Sequence, residues 1–303
     1  MGNFNNKAYQ SLVTDLIGDT FYKDTSVSGR ISFVRKYAEV VIRKILDSAP
    51  DKAVTLGAKY IQDRIRNLPN HELIEAAVDT VRSKGNQSTH TQYLEGFDSE
   101  DFDNVVDGLF DMLSYLLISY FEKYEFGSRN DVLYSFSMLP PIIRYKVLRF
   151  LHEKYPDNIS VIDKFVLATV KALSVDEATE WVEREKDKLI QMGTVTEKAF
   201  NEIVEKEGIE LAEYIRNNSP ANMYILCKMK ILEVGDMVNN RGVLYLDFES
   251  ALPHYKASGI LTGDDLETTE FNDIMNFLYM GRKEKIREMS NESNSYVILN
   301  FIS

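Results

Sequence analysis

A single cysteine, Cys227, leaves the chain without an intrachain disulfide or a zinc centre built on several thiolates, and suits a reducing compartment. Histidine is scarce as well. His71, His90, His152 and His254 stand far apart and share no helical ligand spacing, so neither a metal site nor any other cofactor is expected. Long apolar runs are missing: Met112 to Phe121 and Ser295 to Ile302 are the richest, and both fall short of the ~20 residues that span a bilayer. The first twenty residues hold neither a basic leader nor a continuous apolar stretch, so no signal peptide is expected. These absences together predict a soluble, cytoplasmic protein without membrane association.

An excess of positive charge is lacking too. The formal net charge is −12, with 15 basic against 19 acidic residues up to Asn130 and 20 against 28 beyond it. Neither half reads as a general polyanion binder. Any nucleic-acid contact must come from a local basic patch or from two subunits pooling their cations. No internal repeat, low-complexity tract or long heptad run is present.

What is there is apolar periodicity. At 303 residues and 44% hydrophobic, the chain exceeds one ordinary domain, and two are expected. Residues 1–27 carry a short pattern, Leu12, Ile17, Phe21 and Tyr22, read as an N-terminal arm or helix. From Ile31 the sequence Val34, Ala38, Val41, Ile42, Ile45 and Leu46 recurs at helical spacing, with Ser28 as the cap and Pro50 past the end. Leu56, Tyr60, Ile61, Ile65 and Leu68 outline a second helix ending before Pro69. Asn70 caps a third, with Leu73, Ile74, Ala77, Val78 and Val81 on one face. Gly85-Asn86 is expected to break it, since both residues tolerate left-handed angles. Phe102 to Tyr120 form a long apolar helix begun by Asp98 or Ser99. Four such segments make an antiparallel bundle over residues 28–127.

Gly127-Ser128-Arg129-Asn130 is the expected boundary of a mainly helical second domain, 128–303. There Pro140-Pro141 opens a helix and Ser174-Val175-Asp176-Glu177 forms a capping-box pattern. The charged stretch Glu177 to Lys206 reads as a solvated helical surface broken near Gly193. Val243 to Phe248 and Tyr296 to Phe301 read as strands around a helix near Phe271 to Met280, a small αβ element over 242–303.

Arg82, Asn86 and His90 follow one another at intervals of four, so all three would project to one side if the helix resumed past the break. Arginine stays charged and its planar fork matches phosphate oxygens, while histidine exchanges protons near neutrality. Lys84 and Gln87 would add phosphate or base contacts. The plain structural account makes Arg82 a cation at a helix C-terminus, Asn86 a turn former and His90 a surface or capping residue. Arg35 and Glu39, one turn apart, read as a helix-surface ion pair. Tyr93 reads as a core or loop residue before it reads as a base-stacking one. Trp181, His152 and His254 have no partners at chemical spacing. Asp264-Asp265 with Glu267 and Glu270 read as an acid-rich helix start.

The order Arg35-Lys36-Tyr37-Ala38-Glu39 on a first apolar helix, Arg82 through Gly85-Asn86 to His90 after a middle helix, and Asp98 to Phe121 as a closing helix resembles the HEPN superfamily. It is most similar to the branch of helical domains associated with restriction and phage-defence genes, over residues 28–126. The resemblance implies an all-α bundle that dimerises and, in active members, cuts RNA without a metal where Arg and His of two subunits meet. By that analogy Arg82 stabilises the transition state, His90 is general base or acid, Asn86 orients the phosphate or the His, and Arg35 and Glu39 buttress the Arg82–His90 segment. Seven residues lie between Arg82 and His90, more than is usual in that family.

The expected protein is therefore mainly α: a HEPN-like bundle, then a mostly helical second domain with a small C-terminal αβ element. The expected function is a homodimeric, metal-independent endoribonuclease or RNA-binding effector of prokaryotic defence, with a C-terminal regulatory or partner-docking domain. A non-catalytic scaffold of a restriction or anti-phage complex is the first rival. A nucleotide or small-ligand sensor in the second domain is another, though no phosphate loop is present.

Overall fold

Helices account for nearly all regular structure in the computed structural model, which describes residues 7–49, 52–89 and 96–285. In chain order they are α1 (Lys7–Ile17), followed by a π-helical turn (Gly18–Tyr22), α2 (Val27–Ile45), α3 (Lys59–Arg66), α4 (Glu72–Gln87) and α5 (Ser99–Lys123). Then come α6 (Asn130–Phe136), α7 (Pro141–Lys154), α8 (Ile159–Ala172), α9 (Val175–Arg184), α10 (Lys186–Gln191), α11 (Glu197–Glu207), α12 (Ile209–Asn218) and α13 (Met223–Arg241). The set ends with α14 (Phe248–His254), a second π-helical turn (Tyr255–Gly259) and α15 (Leu266–Tyr279). The protein is mainly α, and no strand occurs among the described residues.

Two compact units divide the chain: Met1–Tyr124 with His254–Glu284, and Glu125–Pro253 with the residues from Lys285 on. The expected second domain, 128–303, is thus not one continuous body, because the segment carrying α15 belongs with the first unit.

The first unit is built around α2, α4 and α5. Ile31, Val34, Ala38, Val41 and Ile42 of α2 are buried, as their spacing requires, and so are Ile74, Ala77, Val78 and Val81 of α4. α5 is buried on most of its circumference, because it is the helix the others surround. Gly108 lets it approach α4 closely: a side-chain carbon there would sit 3.3 Å from the Ala77 carbonyl and from Val81. Asp98 and Asp101 start α5 with a reciprocal capping box. α15 closes the unit against α5, with Phe271 and Tyr120 rings 5.1 Å apart and Lys123 paired to Glu270 at 2.7 Å. Asp265 caps α15 by accepting from the Thr268 N–H, which bears out the acid-rich helix start.

Local corrections follow from what each backbone group bonds to. Ser26, not Ser28, caps α2 by accepting from Gly29. Asn70 does not cap α4; its φ is +52° and its amide donates to Glu122. Leu56 and Leu68 flank α3 rather than lie in it.

In the second unit α7 packs on α8, and α8 in turn on α9 and α13. Pro141 opens α7 as the sequence implies, and the Ser174 hydroxyl accepts from the Glu177 N–H to open α9, though the Glu177 carboxylate does not return the bond, so the expected capping box is only half formed among the described residues. Val243 to Phe248 is not a strand. Gly242, at φ +72°, ends α13, and the Asp247 carboxylate accepts from the Ser250 N–H to start α14, which draws Phe248 into a helix and buries it. Among the described residues there is no neighbouring strand for that segment to pair with, and an unpaired strand leaves its backbone groups unsatisfied. Tyr296 to Phe301 lies outside the described residues.

Candidate functional site

α4 runs unbroken through Gly85 and Asn86 to Gln87, so the expected interruption does not occur. Gly85 is buried and helical, and the reason is packing. A carbon added to it would sit 2.6 Å from Cδ and 2.9 Å from Cβ of Arg35. The glycine is a notch in which the Arg35 stem of α2 rests, and the close approach of two helices is the constraint that excludes a side chain there.

The notch is fastened at its C-terminal side. Ser28 Oγ donates to the Ser88 carbonyl at 3.0 Å, the Ser32 and Ser88 hydroxyls are 3.0 Å apart, and Ser88 Oγ donates back to the Gly85 carbonyl at 2.9 Å. The first turns of α2 therefore hold the end of α4, the stretch in which Asn86 and Gln87 sit. Thr89 Oγ1 adds a bond to the Asn86 carbonyl at 2.9 Å.

Because the helix is continuous, Arg82 and Asn86 lie one turn apart on the same side of α4. Arg82 is 35% exposed; its Nη2 donates to Asp79 at 3.1 Å, while its Nε is buried with no hydrogen-bond partner. Its stem runs beside Gly57, whose added carbon would be 3.6 Å from Arg82 Cδ. The loop carrying Gly57 also reaches α2, where the Leu56 N–H donates to the half-buried Glu39 carboxylate. Burial raises the Glu39 pKa above the usual carboxylate range, and the charge of Arg35 opposes that rise. Arg35 and Glu39 feel each other electrostatically without forming the contact ion pair expected of them. The Arg35 guanidinium makes no ion pair or hydrogen bond among the described residues.

Lys84 points elsewhere. Its ammonium pairs with Asp101 at 2.5 Å, tying α4 to the first turn of α5, and the contact lowers the Asp101 pKa. Asn86 and Gln87 are half-exposed with side chains unpartnered among the described residues. His90 and Tyr93 lie outside the described residues; of the other expected site residues, Arg82 and Asn86 share one side of α4 and the Arg35 stem packs on Gly85 of that helix.

No protein-family model matches the chain, nor does any curated protein or solved structure. The arrangement must be read from its own chemistry. The Arg35 guanidinium, without an ion pair among the described residues, the partly exposed Arg82 guanidinium and the half-exposed Asn86 amide are donors of the kind that suit an anionic oxygen-bearing group.

The sequence did not reveal why Gly85 is glycine, nor the serine clamp around Ser88. Both depend on contacts 50 to 60 residues apart in the chain, for which a local pattern carries no signal. No helix among the described residues is long and apolar enough to cross a membrane.

Proposed function

We propose that the first unit handles RNA through the α2–α4 face and, as a homodimer, cleaves it without a metal ion. The observation that carries this reading is Arg35, whose stem lies against Gly85 and whose guanidinium has no ion pair among the described residues, packed on an unbroken helix that presents Arg82 and Asn86 on one side. In the reaction the substrate's 2′-oxygen attacks the adjacent phosphorus and the bond to the 5′-oxygen breaks. The 2′-hydroxyl proton goes to a base and the leaving oxygen takes one from an acid, and His90 supplies one of these steps. Arg82 and Arg35 would oppose the charge growing on the phosphorane oxygens, and Asn86 would orient the phosphate or the imidazole.

The Arg82–Asp79 pair is no obstacle. It is a partly exposed contact between residues three apart, worth about 0–1 kcal/mol, and a phosphate displaces such a carboxylate readily. The place of such an effector in prokaryotic defence, with the second unit as sensor, inhibitor or partner-docking region, rests on the HEPN resemblance.

Non-catalytic assembly is the competing reading, and one observation favours it. Gly85, Arg35, Lys84 and Asp101 all have packing or capping duties that would explain their presence without chemistry. Incubation of the purified protein with total RNA in EDTA separates the two. Cleavage that leaves 2′,3′-cyclic phosphate ends, and is lost in His90→Ala and Arg82→Ala with the dimer intact, supports the nuclease. Cleavage unchanged in both variants, or dependent on added metal, overturns it. Absence of cleavage with recovery of a stoichiometric protein complex assigns the scaffold role.

A further inference from the structure

The second unit contains a cleft of about 330 Å³ formed by the aligned faces of α7, α8 and α9. Tyr145, Arg149 and His152 line it from α7 at intervals of four and three, and Phe165 and Thr169 line it from α8. Glu177, Glu180, Trp181 and Arg184 line it from α9 at intervals of three, one and three. These are the spacings of a single helical stripe, so three consecutive helices turn one face each to the same space.

The interior of the cleft is aromatic. The His152 ring stacks on Phe165 with centroids 5.6 Å apart at 17°, and meets Trp181 edge-on at 5.2 Å. Tyr145 stacks on the same Phe165 at 5.7 Å. Burial lowers the His152 pKa, which keeps the ring neutral near pH 7, and its Nδ1 is buried without a partner. The rim is charged, and its charges are not balanced. Arg149 is paired with Glu153 at 3.6 Å and Arg184 with Glu185 at 3.8 Å, whereas the Glu177 and Glu180 side chains have no ion pair or hydrogen bond among the described residues. Glu177 gains from its place in the first turn of α9, where the helix dipole favours an acid. Glu180 lies beyond that turn and has no such stabilisation.

We propose that this cleft binds a small organic cation with an aromatic or apolar body. The volume lies at the lower end of small-ligand pockets, about 300–1,000 Å³. The apolar part would lie against the Phe165–Trp181–His152 surface, and the ammonium or amidinium would meet Glu177 and Glu180 at the rim. Glu153, Glu177, Glu180 and Glu185 line the cleft against only Arg149 and Arg184, so the rim carries net negative charge to set against a cation. An anionic or neutral ligand of the same shape would forgo the interaction that the rim provides. This assignment is independent of the RNA reading of the first unit and gives the second unit a ligand to sense.

Trp181 is the only tryptophan in the chain, so its fluorescence reports on this cleft alone. Titration of the full-length protein with phenethylammonium should give a saturable change in emission. Glu177→Gln/Glu180→Gln should weaken it about tenfold, the scale of two partly exposed charge contacts. Phenethyl alcohol, the neutral analogue, should bind weakly to wild type and equally to the variant. Both glutamates are exposed, so the variant should unfold at the wild-type temperature. A response that does not saturate, equal binding of amine and alcohol, preference for 3-phenylpropionate, or an amine affinity unchanged in the folded variant would overturn the assignment.

Discussion

At the scale of single residues, Gly85 makes the sharpest claim. Alanine is a better helix former than glycine by about 1 kcal/mol, and at an exposed site Gly85→Ala would stabilise α4. Here the new carbon would sit 2.9 Å from Arg35 Cβ, an atom that cannot swing aside as a side-chain tip does. Overpacking of this kind costs about 1–3 kcal/mol, so a net loss of stability is expected in a urea titration. An unchanged or raised midpoint would mean that the two helices do not meet there. Arg82→Ala should behave differently. It removes one partly exposed ion pair, should lower stability by less than about 1 kcal/mol, and should abolish RNA cleavage. That separation distinguishes a residue kept for chemistry from one kept for folding.

Lys171 gives a pH-dependent case. Burial, with Arg144 and Lys164 adding like charge, depresses its pKa from 10.5 to about 8. Between those values the unfolded chain holds a proton that the folded chain has released, so stability should rise with pH through this window. Below pH 8 the folded state carries the full penalty of a half-buried ammonium. Lys171→Met should therefore raise the urea midpoint at pH 7, by the equivalent of about 1–3 kcal/mol, with the advantage shrinking toward pH 10.5. A constant difference between the two proteins across that range would contradict the assignment.

At the scale of elements, the capping box of α5 is open to test. Asp98→Ala removes the acceptor for the Asp101 N–H, and loss of such a cap costs about 0.5–2 kcal/mol. Thermal unfolding should show the loss, and Asp98→Asn should recover most of it. The boundaries of α5, α7 and α9 were legible because their start signals are local: a carboxylate, a proline and a serine each act within one turn. Gly85-Asn86 misled for the opposite reason. Its local preference is to end a helix, but helix α2 packing from 50 residues upstream both explains the glycine and holds the turn in place. Val243 to Phe248 misled because β-branched and aromatic residues signal burial as much as strand, and Phe248 is buried on a helix instead. The candidate site was legible to the extent that it lies on one helix. Arg82 and Asn86 share a face as their spacing implies, and Arg35 meets their segment from α2. The lack of an ion pair on Arg35 and the diversion of Lys84 to Asp101 depend on geometry between elements, which spacing does not encode.

At the scale of the whole molecule, the return of α15 to the first unit changes where the chain can be cut. A fragment ending at Gly127, the boundary suggested by its turn-prone residues, would lose α15 and leave Tyr120 without its Phe271 partner. Losing the packing of the fully buried Phe271 costs about 3–5 kcal/mol, the scale of truncating such a side chain. We expect that fragment to unfold well below the intact chain by circular dichroism, and equal melting would contradict the division into units. The net charge of −12 bears on function at this scale, because a chain so acidic can hold RNA only through a local cationic face. If the proposed face holds RNA, its binding should weaken with salt on a slope set by the few phosphates that Arg35 and Arg82 would reach.

The central claim is that this face cuts RNA by attack of the 2′-oxygen. An RNA oligonucleotide that the protein cleaves, resynthesised with one 2′-deoxy nucleotide at the cut site and incubated in EDTA, tests it most directly. The account predicts that cleavage at that bond disappears while binding persists. Cleavage that continues through the deoxy position would contradict it.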